Sequence, residues 1–387
     1  MFARLFEPVE ARAITVQDMW GNGPMWSGGA GGQVVNESTA VQLLTVYGCV
    51  RLITDSVSTL PVDCFRKTAD GREPVATPRW VSQPTVNLDF TAWCGQVLAS
   101  LLLHGNAYLK VTYGDGGINE LIPLDPTQVH VNRISGRLTY SYRGSPVSPL
   151  HIKGLMMPGS DVGLSPLQAA QHSIGLGLAA QKFGSDFFEG DGNMPGVIEL
   201  PRPVQAGSKL GEMAEQWRAK RRKGGRGLPG VLDDGATWKA TGVTNEQAQF
   251  LATRQFTAAE IAGSMFLVDP TELGIPMSGT TLTYQNQLDR KSRLINTTCL
   301  PWITRVESAL SALLAQPRYV KLNVNAFLRG ELMERYQSYA IAESINSSAA
   351  ARGQGPLLET KEMRQFEDLP VTEQTPTPQG GVPNVAA

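Results

Sequence analysis

Apolar side chains recur along this sequence with two periods, and the switches between them outline most of the chain. Leu43, Val46, Tyr47, Val50, Ile53, Val57 and Leu60 fall at helical spacing and Pro61 stops them, which predicts a helix. A strand is predicted through residues 62–66, and a second helix over residues 89–103, closed by His104-Gly105-Asn106. The period then drops to two. Ala107, Leu109, Val111 and Tyr113 alternate with Tyr108, Lys110 and Thr112, and Gly114-Asp115-Gly116-Gly117 supplies a hairpin turn. Strands are predicted over residues 120–124, 128–134 and 137–143, the last two joined at Ser135-Gly136. Residues 40–160 therefore read as an α+β domain.

The most informative stretch runs over residues 163–201. Ser165 is placed to cap a helix, and Pro166 sits at the first helical position, where its missing N–H costs nothing. Leu167, Ala170, Ile174, Leu178, Phe183, Phe187 and Phe188 form an apolar face. A second face, Ala169, Ser173, Gly177, Ala180 and Gly184, carries almost nothing. Each interior glycine costs about 1 kcal/mol against alanine. A helix that keeps Gly175, Gly177 and Gly184 therefore implies a close neighbour, either within the subunit or a copy of the same helix around a ring. Gly190, Gly192 and Pro195 end it.

Beyond it come a strand at 196–200 and a polar helix at 204–223 with Leu210, Met213 and Trp217 on one face. Strand-like pieces follow at 230–232 and 237–240. Thr244 and Gln247 form a capping box that opens another helix, to about residue 266. Two long helices thus flank a small strand–helix–strand insert. Residues 269–281 form a loop of Pro, Gly, Ser and Thr. A helix is predicted over 283–314 with an interruption at Pro301, then a strand at 319–325 and a helix at 330–346. The Gly-rich residues 1–38 read as an extension without its own core, and the Pro/Gly-rich residues 374–387 as a disordered tail.

Composition narrows the function. With 387 residues, 42% hydrophobic and 18% charged, the chain can build a core of two or three structural units. No run of 18 apolar residues exists, so no transmembrane helix and no membrane partner are expected. The start, with its acids, lacks a secretory apolar region. Cys49, Cys64, Cys94 and Cys299 are scattered and read as buried free thiols. Lys+Arg 34 against Asp+Glu 35 gives a net charge of −1, which argues against tight general binding to DNA phosphates.

The sequence carries few signals of catalytic chemistry. No phosphate loop, zinc-protease, nucleophile-elbow or calcium-loop motif is present. His104, His130, His151 and His172 lack ligand spacing and read as structural, so no metal, cofactor or catalytic residue is expected. Residues 175–180 match a dinucleotide fingerprint formally, but they lie mid-helix rather than at a strand-to-helix turn. One charge run stands out: Arg218, Lys220, Arg221, Arg222, Lys223 and Arg226, beside Trp217. It fits a solvated helix end whose cations complement the dipole, or a docking patch for an acidic partner.

Several pieces in order carry a family resemblance. They are residues 46–57 with Leu60-Pro61, then His104-Gly105-Asn106-Ala107-Tyr108, then Leu121-Ile122-Pro123-Leu124-Asp125-Pro126. His151-Ile152-Lys153-Gly154 followed by Gly163-Leu164-Ser165-Pro166-Leu167 is the most specific. Gln249-Phe250-Leu251, Phe256, Glu260-Ile261-Ala262 and Leu328-Arg329-Gly330-Glu331 complete the set. Over residues 39–370 the chain resembles the portal proteins of tailed bacteriophages, of the HK97 type.

The resemblance implies an α+β fold with an α+β wing, a two-helix stem, a small α/β clip and a short helical crown. Carried over, the N-terminal extension is 1–38, the wing 39–163 and 283–344, and the stem 164–190 and 244–268. The clip is 191–243, the tunnel loop 269–282, and the crown with its tail 345–387. It implies a non-enzymatic homo-oligomeric ring, usually a dodecamer, at one capsid vertex of the virion, assembled in the host cytoplasm. Double-stranded DNA is packaged through the ring and later ejected through it. Its implied partners are the terminase large subunit, a head–tail adaptor, capsid and scaffold proteins, and DNA passing non-specifically. In this reading Pro276, Met277, Ser278, Gly279, Thr280 and Thr281 line the DNA passage. Trp217, Arg218, Lys220, Arg221, Arg222, Lys223 and Arg226 dock partners, and Ser173, Gly177, Ala180 and Gly184 pack the stem. The sequence departs from fuller portals at its end: the tail after Pro370 is short, and Pro356-Leu357-Leu358-Glu359-Thr360 stands where relatives often carry an Asn. Two rivals are weighed: another ring-forming adaptor or capsid protein, and a nucleic-acid-processing enzyme of a mobile element. Asp233-Asp234 is the only acidic pair that the enzyme could use.

Overall fold

The computed structural model describes residues 34–69, 71–114, 116–189, 196–199, 237–240, 246–275, 292–324 and 332–367. Asn36 opens the first helix, α1 (Glu37–Ala40). Its side chain accepts from the Thr39 amide at 2.9 Å, and the Thr39 hydroxyl accepts from the Asn36 amide at 2.9 Å. Val35, just before, is buried in the main core. The fold thus starts earlier than position 39, because an apolar anchor and a capping residue stand at 35 and 36. Residues 1–33 of the expected extension lie outside the described residues.

Helix α2 (Leu44–Ser58) follows the predicted run and buries Val46, Cys49, Ile53 and Val57 along one face. Strands β1 (Val62–Thr68) and β2 (Gly71–Val75) pair antiparallel. After the single turn α3 (Arg79–Ser82) comes α4 (Phe90–His104). The Asp89 carboxylate caps it, accepting from the Ala92 amide at 2.8 Å, and Gly105 ends it at φ +71. Trp93, Cys94, Val97, Leu98, Leu101 and Leu102 are all buried, so α4 is the central helix of this part of the chain.

Strands β3 (Asn106–Gly114) and β4 (Gly117–Leu124) form the hairpin the alternation predicts. Next, β5 (Val129–Ile134), β6 (Arg137–Tyr142) and β7 (Ser145–Val147) form a meander. Its first turn has Ser135 at φ +50 and Gly136 at φ +78, the two left-handed positions of a type I′ hairpin. Strand β8 (Leu150–Lys153) returns to the other edge of β3, giving the order β4–β3–β8.

The predicted long helix begins as read. The Ser165 hydroxyl accepts from the Gln168 amide at 3.3 Å, and Pro166 occupies the first turn. It divides at Ala170 into α5 (Pro166–Ala169) and α6 (Gln171–Glu189). The backbone stays continuous there, because the Ile174 amide donates to the Ala170 carbonyl at 3.0 Å. Of the insert, β9 (Gly196–Glu199) and β10 (Thr237–Ala240) are described, as an antiparallel pair.

Helix α7 (Glu246–Glu260) runs on into a π-helical turn, Ile261–Met265. A second π turn, Leu294–Cys299, leads into α8 (Leu300–Ser311). The interruption expected at Pro301 is thus a change of helix type, with the proline in the first turn of α8, where its lack of a donor is harmless. Strand β11 (Arg318–Leu322) pairs with β1, giving the order β11–β1–β2.

Residues through Val324 form one compact unit, and residues 325–387 a second. In the second, α9 (Leu332–Ala350) and α10 (Thr360–Phe366) are joined by side-chain bonds. Asn346 accepts from the Leu357 amide and donates to the Leu358 carbonyl, both at 2.6 Å, and the Tyr339 hydroxyl donates to Glu367 at 2.7 Å. Residues 332–344, part of the wing in the sequence reading, share α9 with Asn346. The fold class is α+β as read. The main core gathers Val35, Leu43, Val46, Ile53, Leu102, Leu167, Ile174, Ile261 and Phe266, from four separate stretches of sequence.

Candidate functional site

The motif pieces at 104–106, 151–154 and 163–167 meet at one crossing of backbone. The Gly154 N–H donates to the Gly105 carbonyl at 2.8 Å. A Cβ on Gly154 would stand 2.9 Å from that same oxygen. A Cβ on Gly163 would overlap the oxygen outright and stand 2.9 Å from the Gly154 nitrogen. A Cβ on Gly105 would fall on the Leu164 carbonyl. Backbone surrounds all three positions, so no side chain can be accommodated by a rotamer change.

Asn106, buried beside them, uses every hydrogen-bonding position it has. Its side-chain amide donates to the Gly163 carbonyl at 2.8 Å and the His104 carbonyl at 3.1 Å. Its Oδ1 accepts from the Gly163 amide at 2.7 Å and from His151 Nε2 at 2.9 Å. The Ser165 hydroxyl, while capping α5, donates to the Leu103 carbonyl at 2.9 Å. The end of α4, the start of β3, the end of β8 and the start of α5 are therefore held as one rigid joint.

His151 completes the joint. Its ring stacks on Tyr108, with centroids 4.3 Å apart, and its Nδ1 accepts from the Tyr140 hydroxyl at 3.3 Å. Burial, with the Lys153 charge adding to it, pushes its pKa down to about 3, so the ring is neutral. This assigns His151 the structural role expected of it. Among the described residues no cluster of His, Cys, Asp and Glu could hold a metal ion.

The bare face of α6 has a neighbour in the same chain. A Cβ on Gly177 would lie 3.1 Å from Leu43 Cδ1 and 3.5 Å from Thr257 Cγ2, on α7. Ser173 and Ala180 are half-buried, and Gly184 is buried. Within the subunit, the atoms that a Cβ on Gly177 would meet belong to Leu43 and Thr257.

The loop after α7 is described as far as Ile275. Asp269 caps a 3₁₀ turn, Pro270–Leu273, and Leu273 lies against Gly48. Leu267 sits at φ +55, unusual for a bulky residue. Its carbonyl accepts from the Thr298 hydroxyl, and the Val268 amide donates to the Ala262 carbonyl at 2.9 Å. Thr298, in the π turn Leu294–Cys299, thus bonds the segment that follows the π turn Ile261–Met265. No periodicity signals a π turn, and this bond between distant segments was invisible in the sequence. Pro276, Met277, Ser278, Gly279, Thr280 and Thr281 lie outside the described residues, as do Trp217, Arg218, Lys220, Arg221, Arg222, Lys223 and Arg226.

The profile of the family described as "Phage portal protein" matches residues 44–368. The probable portal protein of Streptomyces phage phiC31 is 32% identical over 367 residues, covering 85% of this chain and 78% of that protein. Among solved structures, an HK97 family phage portal protein from Corynebacterium diphtheriae superposes with a TM-score of 0.58 at 15% identity. The superposition covers 76% of this chain and 96% of that one. A chain from the neck of an empty GTA particle, computed with C6 symmetry, gives a TM-score of 0.55 at 23% identity, covering 89% of this chain and 97% of that one.

Proposed function

The chain belongs to the phage portal protein family, a structural and non-enzymatic family, and we propose that it forms the homo-oligomeric ring of a portal vertex through which double-stranded DNA is packaged and ejected. The observation that carries this is the family match over residues 44–368, together with the joint that its most specific motif residues build. A ring that withstands the passage of DNA needs the mount of its long helices fixed to its outer domain, and the crossing of Gly105, Gly154 and Gly163 fixes it.

In this reading the ring is a dodecamer in the virion, assembled in the host cytoplasm against capsid and scaffold proteins. Helices α6 and α7 form the stem, with Gly177 setting their separation. The insert carrying Trp217, Arg218, Lys220, Arg221, Arg222, Lys223 and Arg226 docks the terminase large subunit and then a head–tail adaptor. Residues 276–281 face the DNA. Two sequence features support the conduit. The net charge of −1 avoids holding phosphate, and Pro276, Met277, Ser278, Gly279, Thr280 and Thr281 include no residue suited to bidentate base recognition. ATP chemistry belongs to the partner, since the sequence has no phosphate loop.

Native mass spectrometry and electron microscopy of the purified full chain test this. Closed rings of one stoichiometry with a central channel are expected. A chain that stays monomeric at every concentration refutes the reading.

A further inference from the structure

Leu155, Met156 and Met157 are three consecutive large apolar residues, 63%, 41% and 44% exposed. They do not sit on a loose loop. The Leu164 amide donates to the Leu155 carbonyl at 2.7 Å, and Met156 bridges to Gly163. The Ser160 amide donates to the Met157 carbonyl at 3.0 Å, and the Ser160 hydroxyl to the Val162 carbonyl at 2.7 Å. Arg133 pairs with Asp161 across the loop base. The loop is thus a preformed knob, and ordering it on binding costs little. Exposed contiguous apolar side chains on a rigid support mark a contact surface, and methionines suit one because they adapt to irregular pockets.

The knob stands beside Gly163 and Asn106, at the first residue of β3. At the other end of β3, beside its turn into β4, lies a groove of about 460 Å³. Its apolar walls are Pro78, Trp80, Val86 and Ile118, and Arg79 and Glu120 stand at its polar side. Val86 is 71% exposed, and its amide donates to Glu120 Oε1 at 3.0 Å, which holds the wall in place. At ~3.4 Å per residue, the nine residues of β3 separate knob and groove by nearly the whole length of the strand.

A ring requires a head-to-tail contact, made by two different surfaces of each subunit. An apolar knob at one end of a strand and, at its other end, a groove with an apolar wall of Pro78, Trp80, Val86 and Ile118 facing the polar Arg79, Gln83, Thr85, Asn119 and Glu120 meet that requirement. We propose that Leu155, Met156 and Met157 of one subunit enter the groove between Trp80 and Val86 of the next. The occupant of the groove is a second copy of this chain. This rests on the ring reading above and adds to it the surfaces that close the ring.

The test uses the full chain. L155E/M156E replaces exposed side chains, so its thermal melt as a free subunit matches wild type. Its assembly, followed by sedimentation velocity, needs at least ten-fold more protein than wild type. A second variant pairs M156C with V86C; Cys49, Cys64, Cys94 and Cys299 are buried and stay out of the reaction. Mild oxidation of its rings gives a ladder of disulfide-linked oligomers, and either single cysteine alone gives none. L155E/M156E rings at wild-type concentration, or M156C/V86C rings without a ladder, overturn the knob-and-groove contact while leaving the ring reading intact. Wild-type chain that never assembles overturns the ring reading itself, and this contact with it.

Discussion

Replacing Gly163 with alanine adds one methyl group where three backbone segments cross. The new Cβ overlaps the Gly105 carbonyl oxygen and stands 2.9 Å from the Gly154 nitrogen, so the crossing must open. Opening strains or breaks the Gly154–Gly105 backbone bond at 2.8 Å and the two Asn106–Gly163 bonds at 2.7 and 2.8 Å. Each such bond is worth about 1 kcal/mol net, and a buried polar group left unpaired costs about 1–3 kcal/mol. Against this, alanine stabilises by about 0.4–1 kcal/mol by restricting the unfolded chain. The balance is a loss of about 3 kcal/mol, a large share of an ordinary domain's stability. Urea titration of the unassembled subunit, followed by circular dichroism, reads it as a lower midpoint at unchanged slope. Gly95→Ala is the control: it lies inside α4 with nothing within 4 Å of its Cβ position, and it should be neutral or stabilising by up to ~1 kcal/mol. A Gly163→Ala midpoint within error of wild type refutes the account of the crossing.

His151 predicts an acid sensitivity. Its folded pKa of about 3 lies below its ordinary 6.5, so the unfolded chain takes up a proton first and stability falls as pH drops below that ordinary value. The loss is about 1.4 kcal/mol per pH unit at its steepest. Between pH 6.5 and 5, before most carboxylates titrate, urea midpoints should fall faster for wild type than for His151→Gln; parallel curves contradict the buried neutral ring. Gly177→Leu should destabilise the free subunit by about 1–3 kcal/mol, because the new side chain meets Leu43 and Thr257 of its own chain. An unchanged melt with failed assembly would return that glycine face to a neighbouring subunit. Arg221→Ala with Arg222→Ala should weaken terminase or adaptor docking several-fold in a pull-down while rings form normally, and undiminished docking leaves the cluster as a solvated helix end.

The elements that local chemistry dictates were legible. The helical runs behind α2 and α4, the period-two alternation of β3, the Ser165 cap with Pro166, and the Ser135-Gly136 turn each depend on residues a few positions apart. What was hidden depends on distant partners. The pairing of β1 with β11 joins residues 62–66 to 318–322, and nothing local marks that register. The glycines of the crossing were visible as motif letters, but their reason, mutual backbone contact, exists only once three segments meet. The bare face around Gly177 implied a close neighbour correctly, yet could not say that Leu43 and Thr257 supply it. Leu267 at positive φ answers to a tertiary bond from Thr298, for which no spacing rule exists.

The sheet β11–β1–β2 has a consequence for synthesis. Strand β1 is made early, but its second edge is covered only by β11, far downstream. During translation the growing chain carries an open strand edge until residue 322 has emerged, and an open edge is a template for pairing with other chains. The first half cannot finish folding as it leaves the ribosome. A fragment that stops before Arg318 would keep that edge permanently, so truncated products should accumulate as aggregates rather than as smaller soluble domains.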